Sequence, residues 1–286
     1  MSGSGSHLVA EIIAGLVFLV ISYCLFRSLR LINLLVFKPA SKINQLSEGY
    51  VRLEGKINSL SNETIVAPVS QTKACWYRFN VQELQRRHTD KEEAVLEWTT
   101  ISVLKKNIPF LTIEDESGAC LVTTMDAEIS TSETATTYSN SIPTQEEFDN
   151  PQVFLEHTKI ADTKQEEKKG LLSKLSSAIM SHKYRIIEDR LGCDDKVIVL
   201  GNCHKINSTQ TDKKNKLPQL LAQVNSLPSL DKTKYQFIIS KINTGRPFII
   251  SSESKKSMLI TSIIMSVIYG VILIAILWLF YIMLRK

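Results

Sequence analysis

The chain has 286 residues, a hydrophobic share of 44% and a formal net charge of +5. That surplus is modest, and many of its basic residues flank apolar runs or sit in a mixed-charge stretch, so nucleic-acid binding is not indicated. The five cysteines include no C-x-x-C pair; their spacing suggests no disulfide framework and fits a reducing compartment or simple core packing.

Met1 to His7 reads as a short polar leader, expected to be disordered. Leu8 to Phe26 is apolar except for Glu11. Arg27 and Arg30 follow this stretch rather than precede it, which fits an uncleaved anchor better than a signal peptide. Leu31 to Phe37 stays apolar, so the first span is placed at residues 8–37. Its last turns either prolong the helix or lie in the interface, with Arg27 and Arg30 reaching the headgroups.

Residues 39–252 form the expected soluble domain. Pro39 ends the first helical region. Gly49 to Ile57 sets Tyr50, Arg52, Glu54 and Lys56 against Val51, Leu53, Gly55 and Ile57, the alternation of a half-buried strand. Ala74 to Leu84 is rich in aromatic and β-branched residues, and Val95 to Leu104 alternates again. Pro109 to Glu114 and Ala119 to Thr124 flank Asp115-Glu116-Ser117-Gly118, a tight hairpin signal. Thr131 to Lys183 breaks the rhythm and reads as a loop followed by an amphipathic helix, with Leu171, Leu172, Leu175, Ile179 and Met180 on one face. Strands resume at Tyr184 to Leu191 and Lys196 to His204. Ser208 to Ser229 is mostly loop with a short helix, and Tyr235 to Ile242 and Pro247 to Ile250 close the series. About nine short strands with one helical insert predict a mainly β domain, a compact antiparallel barrel or sandwich, flanked by two transmembrane helices.

Met258 to Leu284 is the second span. It holds no charged residue, and as a helix it reaches roughly 40 Å, more than the ~30 Å hydrocarbon core of a bilayer. Lys255 and Lys256 precede it, while Trp278 and Tyr281 near its far end are interface anchors. Ser262, Ser266 and Gly270 recur at four-residue spacing, a small-residue stripe for helix packing. The small residues of the first span, Ala10, Ala14 and Gly15, lie in the opposite half, so the stripe reads either as ordinary membrane-helix composition or as a surface for self-association or a partner helix. Basic residues cluster on the domain side of both spans (Arg27, Arg30, Lys38, Lys42, Lys241, Arg246, Lys255 and Lys256). The positive-inside rule then predicts a cytoplasmic domain and both termini outside.

Five stretches carry a family resemblance: PASKINQLSEGYVRLEGKI, APVSQTKACWYRFNVQE, PFLTIEDESGACLV, YRIIEDRLGCDDKVIVLGN and YQFIISKINTGRPFIIS. In this order, over Pro39 to Ser252, they resemble the GIDE or beside-a-membrane domain. Prokaryotic members share that domain with mitochondrial membrane-anchored ubiquitin ligases. The resemblance implies an envelope-stress or scaffolding role in the bacterial inner membrane, beside LemA-like helical membrane proteins. The ligases follow their second span with a RING finger. The 286 residues read here hold no such cysteine and histidine cluster, so the family's ligase activity is not expected of them.

No catalytic residue, metal site or cofactor is assigned. Cys193, Cys203 and His204 form the densest ligand-like group, but neighbours on a strand point to opposite faces, so a packed thiol beside an exposed histidine is expected. Cys75 is expected in the core, and the acidic turns at Asp115 and Asp194 are read as turn chemistry. The resulting expectation is a non-enzymatic, two-span membrane protein, in contact with membrane lipids, whose β domain binds a protein partner or the membrane surface. Two alternatives stay open: a ligase-like protein using a RING supplied by another chain, and a module binding a lipid or small ligand.

Overall fold

A computed structural model describes residues 3–61, 63–88, 94–150, 152–154, 183–206, 217–227, 231, 233–241 and 245–284. The chain divides into two units, Ser41–Ser252 and the pair of terminal segments Met1–Ala40 and Glu253–Lys286. Its strands, in chain order, are β1 (Gly49–Ser59), β2 (Ile65–Val66), β3 (Lys73–His88), β4 (Ala94–Asn107), β5 (Phe110–Asp115) and β6 (Gly118–Thr123). They continue with β7 (Glu128–Ser130), β8 (Glu133–Ser139), β9 (Tyr184–Gly192), β10 (Lys196–Lys205), β11 (Phe237–Ser240) and β12 (Ile249–Ser251). The helices are α1 (Gly3–Phe37), α2 (Gln145–Asp149), α3 (Leu217–Asn225) and α4 (Lys255–Leu284).

The domain is mainly β and contains a closed barrel. β1, β5, β6, β11 and β10 pair in a ring, which β1 closes by pairing with both β10 and β5. Every pairing in the ring is antiparallel except β6 with β11. This is a five-stranded Greek-key barrel, the architecture of OB-folds. β12 pairs with β10 beside β11, and β7 is added to β12 in parallel.

The period-two pattern fills the interior. Val51, Leu53 and Ile57 from β1, Leu111 and Ile113 from β5, Cys120 and Val122 from β6, and Val197, Val199 and Cys203 from β10 share one core cluster. Gly55 and Gly201 continue the inward series of β1 and β10, at positions with no room for a side chain. A Cβ at Gly55 would lie 2.5 Å from the carbonyl oxygen of Glu114. At Gly201 it would lie 2.5 Å from Cγ2 of Ile239 and 2.7 Å from Cδ2 of Phe248. Outside the barrel, α3 packs Leu220, Leu221 and Val224 against Phe110, Leu121, Ile206 and Ile238.

A second sheet, ordered β2-β3-β9-β8 with β4 also on β3, is built from two excursions of the chain out of the barrel. Its inner face carries Ala74, Tyr77, Phe79, Val81 and Ile186, covered by Phe148 of α2 and by Phe154. Phe79 and Phe148 stand 5.2 Å apart between ring centroids. A capping box between Thr144 and Glu147 fixes the start of α2. Glu188 is fully buried and accepts the backbone N–H groups of Val69 at 2.7 Å and Ser70 at 3.2 Å, holding the turn between β2 and β3.

Two sequence expectations change. Residues Glu133–Ser139, expected in a loop, are strand β8, whose pairing with β9 satisfies the backbone of a Thr-rich segment. The strands among the described residues also number more than nine: Ala127 to Ser130 and Val66 to Pro68, read from the sequence as a short strand and an extended segment, hold β7 and part of β2, and β8 is the addition, because it lacked an apolar signal. The amphipathic helix expected at Gly170 to Met180 lies outside the described residues.

In the other unit, α1 continues through Phe37, so Leu31 to Phe37 prolongs the helix, and it begins at Gly3, inside the stretch read as a disordered leader. Both α1 and α4 are long and apolar enough to cross a bilayer. The two helices pack on each other. Their less exposed residues follow a 4-3 spacing: Ala14, Phe18, Ile21, Leu25, Ser28 and Ile32 in α1, and Leu259, Ser262, Ser266, Tyr269, Leu273 and Ile276 in α4. That is the seam of a left-handed helix pair. Outside it, large apolar side chains stay exposed, with Leu19 at 64% and Ile274 at 69%.

Candidate functional site

The second sheet has one covered face and one open face, and the open face gathers aromatic, cationic and apolar groups from four strands. Pairing places them. Val81 faces Ser102 and Gln82 faces Thr100, so Ile101 is the extra residue of a bulge in β4. Leu96, Trp98 and Thr100 therefore share a face with Val103, instead of falling on the opposite side. The same register sets Gln82 opposite Arg185, and Arg185 opposite Tyr138.

Arg185 is the centre of this surface. Its guanidinium carbon lies 4.9 Å from the centroid of the Trp98 ring. Its Nε donates to Oε1 of Gln82 at 2.8 Å, and a terminal N–H donates to the same oxygen. Tyr138 tilts against Trp98 at 6.2 Å between centroids. Leu96 and Val103 flank the cluster, 46% and 48% exposed. Tryptophan, tyrosine and arginine are the residues most often decisive in protein interfaces, because each combines a large apolar body with a directed polar group. Among the described residues, β4 pairs only with β3, which leaves its outer edge open beside this patch.

At the base of the same face, Arg78 donates twice to Oδ2 of Asp189, at 2.9 and 2.6 Å, and lies 5.8 Å from the Trp76 ring. There a cleft of about 530 Å³ is lined by Trp76, Arg78, Lys105, Asn107, Asp126 and Glu128 among others. Its charges are mixed, so the lining selects for no single sign of ligand.

The other groups singled out in the sequence are placed as follows. Cys203 points into the barrel, and burial, then the nearby Glu48 carboxylate, push its thiol up to about 12. His204 is buried, not exposed as expected. It stands opposite Ile238 on the barrel's outer side, where α3 packs on Ile206 and Ile238. Burial lowers its pKa, Glu48 works in the opposite direction, and its Nε2 meets no hydrogen-bond partner among the described residues. Among the described residues, no group of three or more His, Cys, Asp or Glu is placed to hold a metal ion.

The acidic turns are held by their own hydrogen bonds. Asp115 accepts from the Ser117 N–H at 2.6 Å, the Ser117 hydroxyl at 2.6 Å and the Gly118 N–H at 3.1 Å, and its other oxygen accepts from the Ile43 N–H at 3.1 Å. Burial acts to raise this carboxyl, but those donors outweigh it and leave the pKa below the usual value. Asp195 accepts the Gly192 N–H at 2.7 Å, and Asp194 accepts the Asn58 side-chain amide at 2.9 Å.

In the helical unit, Arg27 and Lys256 are exposed, Arg30 and Lys255 are half-buried, and Trp278 and Tyr281 are exposed. Ser262 and Ser266 sit on the α1–α4 seam, and their hydroxyls donate back to the carbonyls of Met258 at 2.7 Å and Ser262 at 2.8 Å. Ser262 and Ser266 thus lie on the side of α4 that packs against a helix of the same chain, while Gly270 is not among the seam residues. At Gly270 an added Cβ would meet nothing within 4 Å.

Comparison with protein-family models, curated proteins and solved structures gives no match. Sequence reasoning found three strands of the open face, β3, β4 and β9, but neither β8 nor the face itself. The signal that could have raised it is Leu96-x-Trp98, an apolar pair on alternate positions within a polar strand.

Proposed function

We propose that this chain is a two-span membrane protein whose β domain docks a protein partner on the open face of its second sheet. The observation that carries the reading is the Trp98–Arg185–Tyr138 cluster with exposed Leu96 and Val103 beside it. Anchoring is supported by the length of α1 and α4 and by the apolar side chains they leave exposed around their seam. The barrel interior is filled by its own side chains, which favours a surface role over a ligand held inside it. The partner class named by the GIDE resemblance is a LemA-like helical membrane protein of the bacterial inner membrane, and the basic residues flanking both spans favour a cytoplasmic domain.

The test is a photo-crosslinking amino acid placed in native membranes at Leu96, at Val103 and, as a control, at the exposed Glu116 of the β5–β6 turn. Crosslinks to one protein from the first two positions, absent at Glu116 and lost with Trp98→Ala, are the expected result. Lipid adducts alone, or the same protein captured from all three positions, would overturn the reading. Protease access to sealed vesicles checks the orientation: cleavage of the β domain from the outer face would reverse it.

A further inference from the structure

Two cysteines that the sequence separates by 118 positions meet in the fold. Sγ of Cys75 and Sγ of Cys193 are 2.8 Å apart. That is about 0.8 Å more than the roughly 2.05 Å of a covalent S–S bond, and closer than unbonded sulfurs pack.

Local structure on both sides brings them together. On β3, Ala74 faces Gly192 and Trp76 faces Leu191, so Cys75 is the extra residue of a bulge. The bulge turns two consecutive side chains the same way: Cys75 and Trp76 both join the core shared with the barrel, while Ala74 and Tyr77 lie in the second sheet's own core. Cys193 begins the β9–β10 turn. Asp194 adopts a positive φ of 70°, and bonds from Asp194 N–H to Ile57 carbonyl (2.8 Å) and from Ile57 N–H to Asp195 carbonyl (3.0 Å) lock the turn onto β1. The bulge and the locked turn hold the sulfurs face to face.

We propose that Cys75 and Cys193 form a dithiol site that closes to an intramolecular disulfide by exchange with a small disulfide oxidant such as oxidised glutathione. Cys193 is half-buried and Cys75 fully buried, so the oxidant meets Cys193 first. The Cys193 thiolate attacks one sulfur of the oxidant, forming a mixed disulfide and releasing one glutathione thiolate. Cys75 then attacks Sγ of Cys193, the mixed S–S bond breaks, and the second glutathione leaves as thiolate and takes up the Cys75 proton. The two protein thiols lose two electrons and two protons, and the oxidant becomes two thiols. In the dithiol state Cys75 stays protonated: burial, then the hydrogen bond and charge of Cys193, and the Asp195 and Asp194 carboxylates hold its thiol far above the usual value. The second step therefore waits for the mixed disulfide to form against it, which gives Cys193 and Cys75 the roles of entry and resolving cysteine.

The test incubates the full-length protein in native membranes with oxidised glutathione, blocks remaining thiols with an alkylating agent in denaturant, and maps peptides without reductant. The expected result is a peptide pair joined through Cys75 and Cys193, lighter by two hydrogens, with Cys120 and Cys203 alkylated. Cys75→Ser should retain glutathione on Cys193, and Cys193→Ser should leave Cys75 free of glutathione and therefore alkylated. Two results would overturn the proposal: alkylation of both cysteines in the unmutated chain after incubation with oxidised glutathione, or a glutathione adduct on Cys193 that never passes to Cys75. The unmutated chain alone decides between these results if a variant fails to fold.

Discussion

The guanidinium of Arg185 lies 4.9 Å from the centroid of the Trp98 ring, so a cation from β9 and an aromatic from β4 present one surface. A cation–π pair contributes about 0.5–1 kcal/mol at an exposed site and about 2 kcal/mol once a partner desolvates it. Trp98→Ala is expected to weaken partner binding by at least about tenfold, roughly 1.4 kcal/mol, while the urea midpoint of the domain barely moves. Arg185→Lys should lose nearly as much, because an ammonium cannot both stack on Trp98 and donate two N–H bonds to Gln82. Titration of the identified partner against both variants reads the effect, and unchanged affinity in Trp98→Ala would move the docking site elsewhere.

Gly201→Ala tests how full the barrel is. The added methyl would sit 2.5 Å from Ile239 and 2.7 Å from Phe248, both in the core. The expected loss is about 1–3 kcal/mol of unfolding free energy, the usual cost of overpacking. Chemical denaturation followed by circular dichroism measures it, and a neutral result would mean that Phe248 moves aside freely.

Asp115→Ala removes a carboxylate that satisfies three N–H groups and one hydroxyl across the β5–β6 turn and the segment at Ile43. A loss of roughly 1–3 kcal/mol is expected. The folded-state pKa is below the unfolded one, so this stability is present above the unfolded value and is lost as pH falls through the folded value. Comparing acid unfolding of the two proteins isolates the contribution: the variant should be less stable near neutrality and the gap should close in acid.

His204 gives a second pH dependence at milder acidity. Its folded pKa lies below the ordinary value of about 6.5, because burial disfavours the imidazolium. The unfolded chain then takes up the proton first. Stability is unaffected well above that value and falls as pH drops through it towards the folded pKa. Denaturant midpoints measured from pH 8 to 5.5 should decline in the native sequence and stay flatter in His204→Leu. Parallel curves would assign the slope to other groups.

The barrel was largely legible in the sequence because its strands combine period-two alternation with explicit turns. Asp115-Glu116-Ser117-Gly118 marks β5–β6, and Gly192-Cys193-Asp194-Asp195 marks β9–β10. Glu133–Ser139 was not legible, since it is an edge strand whose Thr134 and Thr136 face water and whose composition is that of a loop. His204 was misjudged because alternation reports which side of β10 it occupies, not that α3 packs on that side. The open face depends on an unsignalled bulge at Ile101, and the thiol pair on another at Cys75. One-residue shifts of register leave no trace in composition, and they decide which side chains meet.

The ring closure between β1 and β10 has a consequence for the order in which the protein is made. Arg52 pairs with Leu200, 148 residues later in the chain (200 − 52). At ~5–20 residues per second, the first strand is synthesised roughly 7–30 s before its partner. During that interval β1, with Val51, Leu53 and Ile57, has no barrel to enter, although α1 ahead of it is already available to a membrane. The earliest apolar strand of the barrel therefore stays without its closing partner until β10 has been made.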